Sequence, residues 1–194
     1  MKPTLTTFFF FLLFISCSEK NNGNKPEKPK AVLIKIGYYP SLDQPAETII
    51  NLNENYLIFY SQFSFPPIPP PPSKKDGEKL SVQEEVDYQE LLDERPRLVP
   101  FKTDLKPIEI NNLVKYSDSL QSDEFSDRNM KPANDGLSTN IIVLYSNGKL
   151  VQINPLNGPT EKQRKLYSEI LNLLIEHNKN RSNKIILQKI KEYR

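Results

Sequence analysis

The chain has 194 residues, with 26 basic and 24 acidic side chains, one histidine, one cysteine and no tryptophan. That length is one ordinary domain or one domain with a tether, and a net charge of +2 is too small to point to a nucleic-acid partner. One cysteine excludes an internal disulfide and one histidine excludes a multi-histidine zinc site, so stability has to come from apolar burial.

The chain opens MKPTLTTFFFFLLFISC: Lys2, an apolar run from Phe8 to Ile15, then Ser16 and Cys17. A run of eight apolar residues has the length of a secretory signal, whereas a membrane-spanning helix needs about 20. The order of positive start, short apolar run, small residue and cysteine resembles the signal of bacterial lipoproteins, and the likeness covers Met1 to about Lys20. Ser16 and Cys17 fit the signal peptidase II site, while Phe14 stands where leucine is usual. The resemblance implies that residues 1–16 are a signal peptide that is removed and that Cys17 is the lipidation site. Its thiol would carry a diacylglycerol and its amino group an acyl chain such as palmitate, and together these anchor the protein to a membrane through its N-terminal lipid. Ser18 is not the Asp that retains many such proteins at the inner membrane, so the resemblance points to the outer membrane, with the leaflet open.

Residues 17–30 then read as a flexible tether. Ser18 to Lys30 has no apolar residue, and thirteen such residues span about 20 Å on average and about 45 Å at full stretch. The rest, 31–194, reads as a single domain. Ala31 to Tyr39 is rich in branched and aromatic residues and stops at Pro40, which predicts a strand. Ala46 to Leu52 and Tyr56 to Ser61 repeat that character around Asn53-Glu54-Asn55, which predicts a hairpin with Tyr56, Ile58 and Tyr60 on one face and Leu57 and Phe59 on the other. The Pro-rich segment 65–73 contains six prolines between Pro66 and Pro72, so it reads as polyproline II, either a docking segment or a strap across the protein's own surface.

Ser81 to Glu84 is a capping box, and Val82, Val86 and Leu92 at near-helical spacing predict a helix that stops at Pro96. Between Val99 and Asn134 the pattern is mixed. Ile108-Glu109-Ile110 alternates like a strand, while Ile110, Leu113, Val114 and Leu120 fit one side of a helix. Thr139 to Ser146, Asn147-Gly148 and Lys149 to Ile153 predict a hairpin on a two-residue type I′ turn. A second capping box, Thr160 with Gln163, opens a helix whose stripe is Leu166, Tyr167, Ile170, Leu171 and Leu174. Ile185, Ile186, Lys189 and Ile190 suggest a further short helix, separate or continuous with it. The sum is an α+β fold, an antiparallel sheet with helices packed on one face.

Chemistry has few addresses. His177 near a helix end suits the helix dipole, and with Cys17 lipidated no thiol remains to partner it. Asp118, Asp123, Glu124 and Asp127 do not follow the spacing of an EF-hand, and six glycines form no phosphate cradle. No catalytic, cofactor or metal residues are assigned, and no cofactor is expected. Tyr38, Tyr39, Tyr56, Phe59, Tyr60, Phe63 and Phe65 are either core residues or sugar-stacking platforms. Asp118-Ser119-Leu120 resembles a bacterial O-glycosylation tripeptide. Residues 81–135 hold 13 acids against 7 bases and residues 161–194 hold 4 against 9, so the two stretches are opposite in sign. The expectation is a lipid-anchored, non-enzymatic cell-envelope module that binds a protein or glycan. The alternatives are a small envelope hydrolase with paired carboxylates and an anchored inhibitor or immunity protein.

Overall fold

Residues 28–41, 43–72, 79–120, 136–153 and 159–193 are described by the computed structural model. The signal segment, Cys17, most of the tether, Ser73 and the acidic residues Asp123, Glu124 and Asp127 lie outside the described residues. In chain order the elements are β1 (Ala31–Pro40), β2 (Ala46–Asn51), β3 (Tyr56–Tyr60), α1 (Val82–Asp93), β4 (Phe101–Asp104), α2 (Pro107–Asp118), β5 (Leu137–Tyr145), β6 (Leu150–Ile153), α3 (Glu161–His177) and α4 (Arg181–Glu192). The strands form one antiparallel sheet in the order β4-β3-β2-β1-β5-β6. The expected α+β class holds.

Alternation decides which side of each strand enters the core. On β1 the inward residues are Ile34, Ile36 and Tyr38, in register with Ile50, Thr48 and Ala46 of β2 and with Val143, Ile141 and Thr139 of β5. Leu57 and Phe59 continue the layer on β3, and all of β1's inward side chains are fully buried. The predicted stripe of α3 covers it, with Leu166, Ile170, Leu171 and Leu174 fully buried, and Leu113 of α2 and Ile186, Leu187 and Ile190 of α4 complete the layer. Each such aliphatic side chain contributes about 1.5–3 kcal/mol when withdrawn from water. Tyr38 meets Tyr167 edge-on, with ring centroids 5.5 Å apart, and so ties the middle of the sheet to α3.

Several predicted details change. The ambiguous stretch after Val99 contains both elements: a short edge strand, β4, which the pattern did not suggest, and a helix, α2, in which Leu113 is buried and Ile110 and Val114 pack on the core. The Ser81 capping box forms, but α1 buries none of its residues, and Val82 and Val86 point to water. The Asn147-Gly148 hairpin forms on a different turn. Gly148 alone takes positive φ, at 81°, and its N–H donates to the Tyr145 carbonyl, so the loop is Ser146-Asn147-Gly148 with a glycine bulge rather than type I′. Lys149 N–H donates to the Asn147 side chain, which holds Asn147 in the ordinary region. Asn178 and Asn180 separate α4 from α3, and Asn180 caps α4, turning Ile185 outward and Asn183 inward.

Two side-chain amides fasten the connecting segments. Gln44 donates to the Phe63 carbonyl at 2.6 Å and accepts from Leu98 N–H at 2.8 Å. Asn183, fully buried, donates to the Val99 carbonyl at 2.7 Å and accepts from Val99 N–H at 2.8 Å. Backbone polar groups that enter a core without a strand partner have to be satisfied this way.

Candidate functional site

Among the described residues, the buried apolar side chains of α2, α3 and α4 belong to the core cluster and α1 has no buried residue, so no described helix packs an apolar face on the opposite side of the sheet. That face carries Lys35, Gly37 and Tyr39 of β1, Glu47 of β2, Tyr56 and Tyr60 of β3, and Asn140 of β5. Glu47 lies opposite Gly37 on one side and Tyr60 on the other, and Gly37 lies opposite Asn140. Gly37 leaves a gap in the surface. A Cβ there would sit 2.5 Å from Cε2 and Oη of Tyr39 and 2.6 Å from Oδ1 of Asn140, so the Tyr39 ring lies back across the bare glycine toward Glu47.

Glu47 is only 3% exposed, yet it is saturated with donors. Tyr39 Oη donates to Oε1 at 2.8 Å, while Tyr60 Oη at 2.5 Å, Gln62 Nε2 at 2.9 Å and Lys35 Nζ at 3.1 Å converge on Oε2. Burial pushes the carboxyl up, but the hydrogen bonds from Tyr60, Tyr39, Gln62 and Lys35 outweigh it and hold the group at about 2, against 4.5 ordinarily. The same contacts act in reverse on the phenols. Burial, the hydrogen bond to Glu47 and its charge raise Tyr60 to about 12, and the same causes raise Tyr39, opposed by a hydrogen bond from Asn140. A carboxylate so occupied does not take up protons near neutrality and is no general base. Its effect is geometric: two half-buried tyrosines are held in place by their hydroxyls, which are turned in to Glu47. Beside them, Lys102 Nζ of β4 lies 4.1 Å from the Tyr56 ring centroid.

His177 stands elsewhere, in the last turn of α3 as expected, but a charge partner was not legible beside it. Its Nε2 lies 3.0 Å from Glu109 Oε1, and its Nδ1 lies 3.3 Å from Thr103 Oγ1. Glu109 is the third residue of α2 and its Oε2 accepts from Lys106 N–H at 2.6 Å. Burial pushes the Glu109 carboxyl up, and the bonds from Lys106 N–H and His177 more than offset it, leaving it below its ordinary value. Thr103 is in register with Leu57 and so faces the helices. The trio clips β4, α2 and α3 together on the helix side of the sheet.

The described buried carboxylates are therefore Glu47 and Glu109, on opposite faces and without a common partner. They do not form the pair that glycoside hydrolysis requires. The aromatic set divides. Tyr38 and Phe59 are core, Tyr39, Tyr56 and Tyr60 line the open face, and Phe63 and Phe65 are exposed beyond β3. Asp118 and Ser119 end α2, with Asp118 Oδ1 3.4 Å from Ala31 N–H and Ser119 Oγ donating to the Tyr116 carbonyl at 2.7 Å. The stretches of opposite charge meet at Glu109 and His177, while Lys106 with Glu176 pairs in the other sense at 3.5 Å. Comparison with protein-family models, with curated proteins and with solved structures returns no match for the chain.

Proposed function

We propose that this chain is a lipid-anchored, non-enzymatic binding module of the cell envelope, held at the outer membrane through Cys17, and that its open sheet face binds a glycan. The observation that carries the reading is the pair of tyrosines, Tyr39 and Tyr60, tied by their hydroxyls to one buried carboxylate on a face that no described helix covers. Sugar rings present C–H faces that stack on aromatic faces and hydroxyls that seek polar groups at the rim. Tyr39, Tyr56 and Tyr60 supply the first, and Lys35, Gln62, Asn140 and Lys102 supply the second. Because the hydroxyls of Tyr39 and Tyr60 are already engaged by Glu47, those two rings are preorganised and lose little freedom on binding.

The anchor rests on the N-terminal likeness alone and has its own test. Metabolic labelling with a fatty-acid analogue should mark the wild type and leave Cys17→Ala unmarked; equal labelling of both removes the anchor. For the face, the full chain should be retained on insoluble envelope polysaccharide, and Tyr60→Ala should lower that retention about tenfold. Unchanged retention in Tyr60→Ala would move the binding surface elsewhere.

A further inference from the structure

After β3 the chain leaves the sheet as Phe65-Pro66-Pro67-Ile68-Pro69-Pro70-Pro71-Pro72, a strap in which two prolines three residues apart are the more covered ones. Pro66 and Pro69 are half-buried, whereas Phe65, Pro67, Ile68, Pro70, Pro71 and Pro72 are exposed. A polyproline II helix has three residues per turn, so Pro66 and Pro69 form a seated ridge. Pro67 with Pro70, and Ile68 with Pro71, form two ridges that face water.

Helix α1 and the residues after it hold the strap from below. Tyr88 Oη donates to the Pro69 carbonyl at 2.6 Å, the Arg95 guanidinium donates to the Pro67 carbonyl, and the Arg97 guanidinium lies 4.6 Å from the Phe65 ring centroid. A cavity of about 150 Å³ remains between Phe65, Pro66 and Ile68 on one side and Leu92, Arg95 and Arg97 on the other. This explains a helix that is well capped yet adds nothing to the core: α1 carries the strap. The assembly leaves Ile68 75% exposed in the middle of the outer ridges.

We propose that the strap is a docking ligand for a partner protein that has an aromatic-lined groove with basic residues at its rim. Proline rings without N–H groups offer apolar edges and carbonyl acceptors only. A groove built of tyrosine or tryptophan supplies both the walls and the O–H or N–H donors such a ridge requires. The conformation is fixed in advance by the prolines and by Tyr88 and Arg95, which lowers the entropy lost on binding. The basic rim follows from charge: Val82 to Arg97 contains six carboxylates against two arginines, a net of −4, and both arginines are already engaged by the strap, so the field beside it is negative. This surface is independent of the tyrosine face, and its test separates the two.

A photo-crosslinking residue is placed at Ile68 in the full chain, made in its own cells, with a control at the exposed turn residue Glu54. The expected result is an adduct with one protein at 68 and none at 54. Titrated against the full chain, that purified partner should lose at least about tenfold in affinity with Pro67→Ala/Pro70→Ala. It should also weaken as salt rises from about 0.05 to about 0.5 M and be unaffected by Tyr60→Ala. Both proline side chains are exposed, so an unchanged melting curve confirms that the double variant folds. Three results would overturn the proposal: no adduct at 68 above the control, an adduct with a second copy of this chain through its tyrosine face, or a partner that binds the double variant as well as the wild type.

Discussion

Glu47 shows how one charged side chain inside a strand organises a surface. Its carboxyl is held at about 2 in the folded protein and returns toward 4.5 on unfolding, so between those values the unfolded chain binds the extra proton and acid destabilises the fold. The contribution, about 3 kcal/mol by linkage, is complete above about pH 5 and fades as pH falls to about 2. Glu109, also depressed, adds in the same direction. Glu47→Gln should therefore lower stability in urea by about 2–3 kcal/mol at pH 7, with the difference from wild type shrinking toward pH 2. A gap independent of pH would contradict the assignment. At Gly37 an added methyl would meet movable side-chain ends, Tyr39 Oη and Asn140 Oδ1, rather than backbone. Gly37→Ala should then fold with a loss of about 1 kcal/mol but release Tyr39 from Glu47, seen as a fall in the Tyr39 phenol pKa on ultraviolet titration. Strand parity put Tyr56 and Tyr60 on one face in the sequence, while the place of Tyr39 beside them was not legible there. Glu47 was not singled out: it is the one acid of the Ala46 to Leu52 run, but the partner that makes it matter is Gly37 on another strand, and register across strands is not written in either segment alone.

At the scale of elements, local chemistry was read correctly where it is self-contained. The capping boxes at Ser81 and Thr160 form, and the α3 stripe is buried residue for residue. What failed depends on distant contacts. Val82 and Val86 look like a core stripe, but α1 answers to the strap, and β4 becomes a strand because β3 offers it an edge. Asn183 is the clearest case, a polar residue inside a helix stripe that serves Val99 across 84 positions. Asn183→Ala leaves both backbone groups of Val99 without partners, and a loss of about 2–3 kcal/mol in chemical denaturation is expected. The opposite holds at Thr48, fully buried between Ile36 and Phe59, whose Oγ1 has no hydrogen-bond partner among the described residues. Thr48→Val keeps the shape and removes the orphaned hydroxyl, so it should stabilise by about 1 kcal/mol, measurable as a higher urea midpoint at unchanged slope.

Over the whole molecule, the central strand β1 pairs with β2 nearby and with β5 about a hundred residues later, so the sheet closes only after the strap, α1, β4 and α2 have been passed. That order leaves one face for the helices and one for tyrosines, with the proline strap held by α1 and the residues after it. The α+β class was legible from the sum of hairpins and capped helices, but the sharing of duties among its faces was not, because it depends on which parity the helices cover. The most direct test of the open face is ¹⁵N and aromatic ¹³C NMR of the folded chain titrated with soluble envelope glycan fragments. The account predicts shifts confined to the open face, in β1, β2 and β3, at Lys102 of β4 and Asn140 of β5 and in the rings of Tyr39, Tyr56 and Tyr60, abolished by Tyr60→Ala. Shifts centred on α1, the strap or the helix side, or none at millimolar fragment, would contradict it.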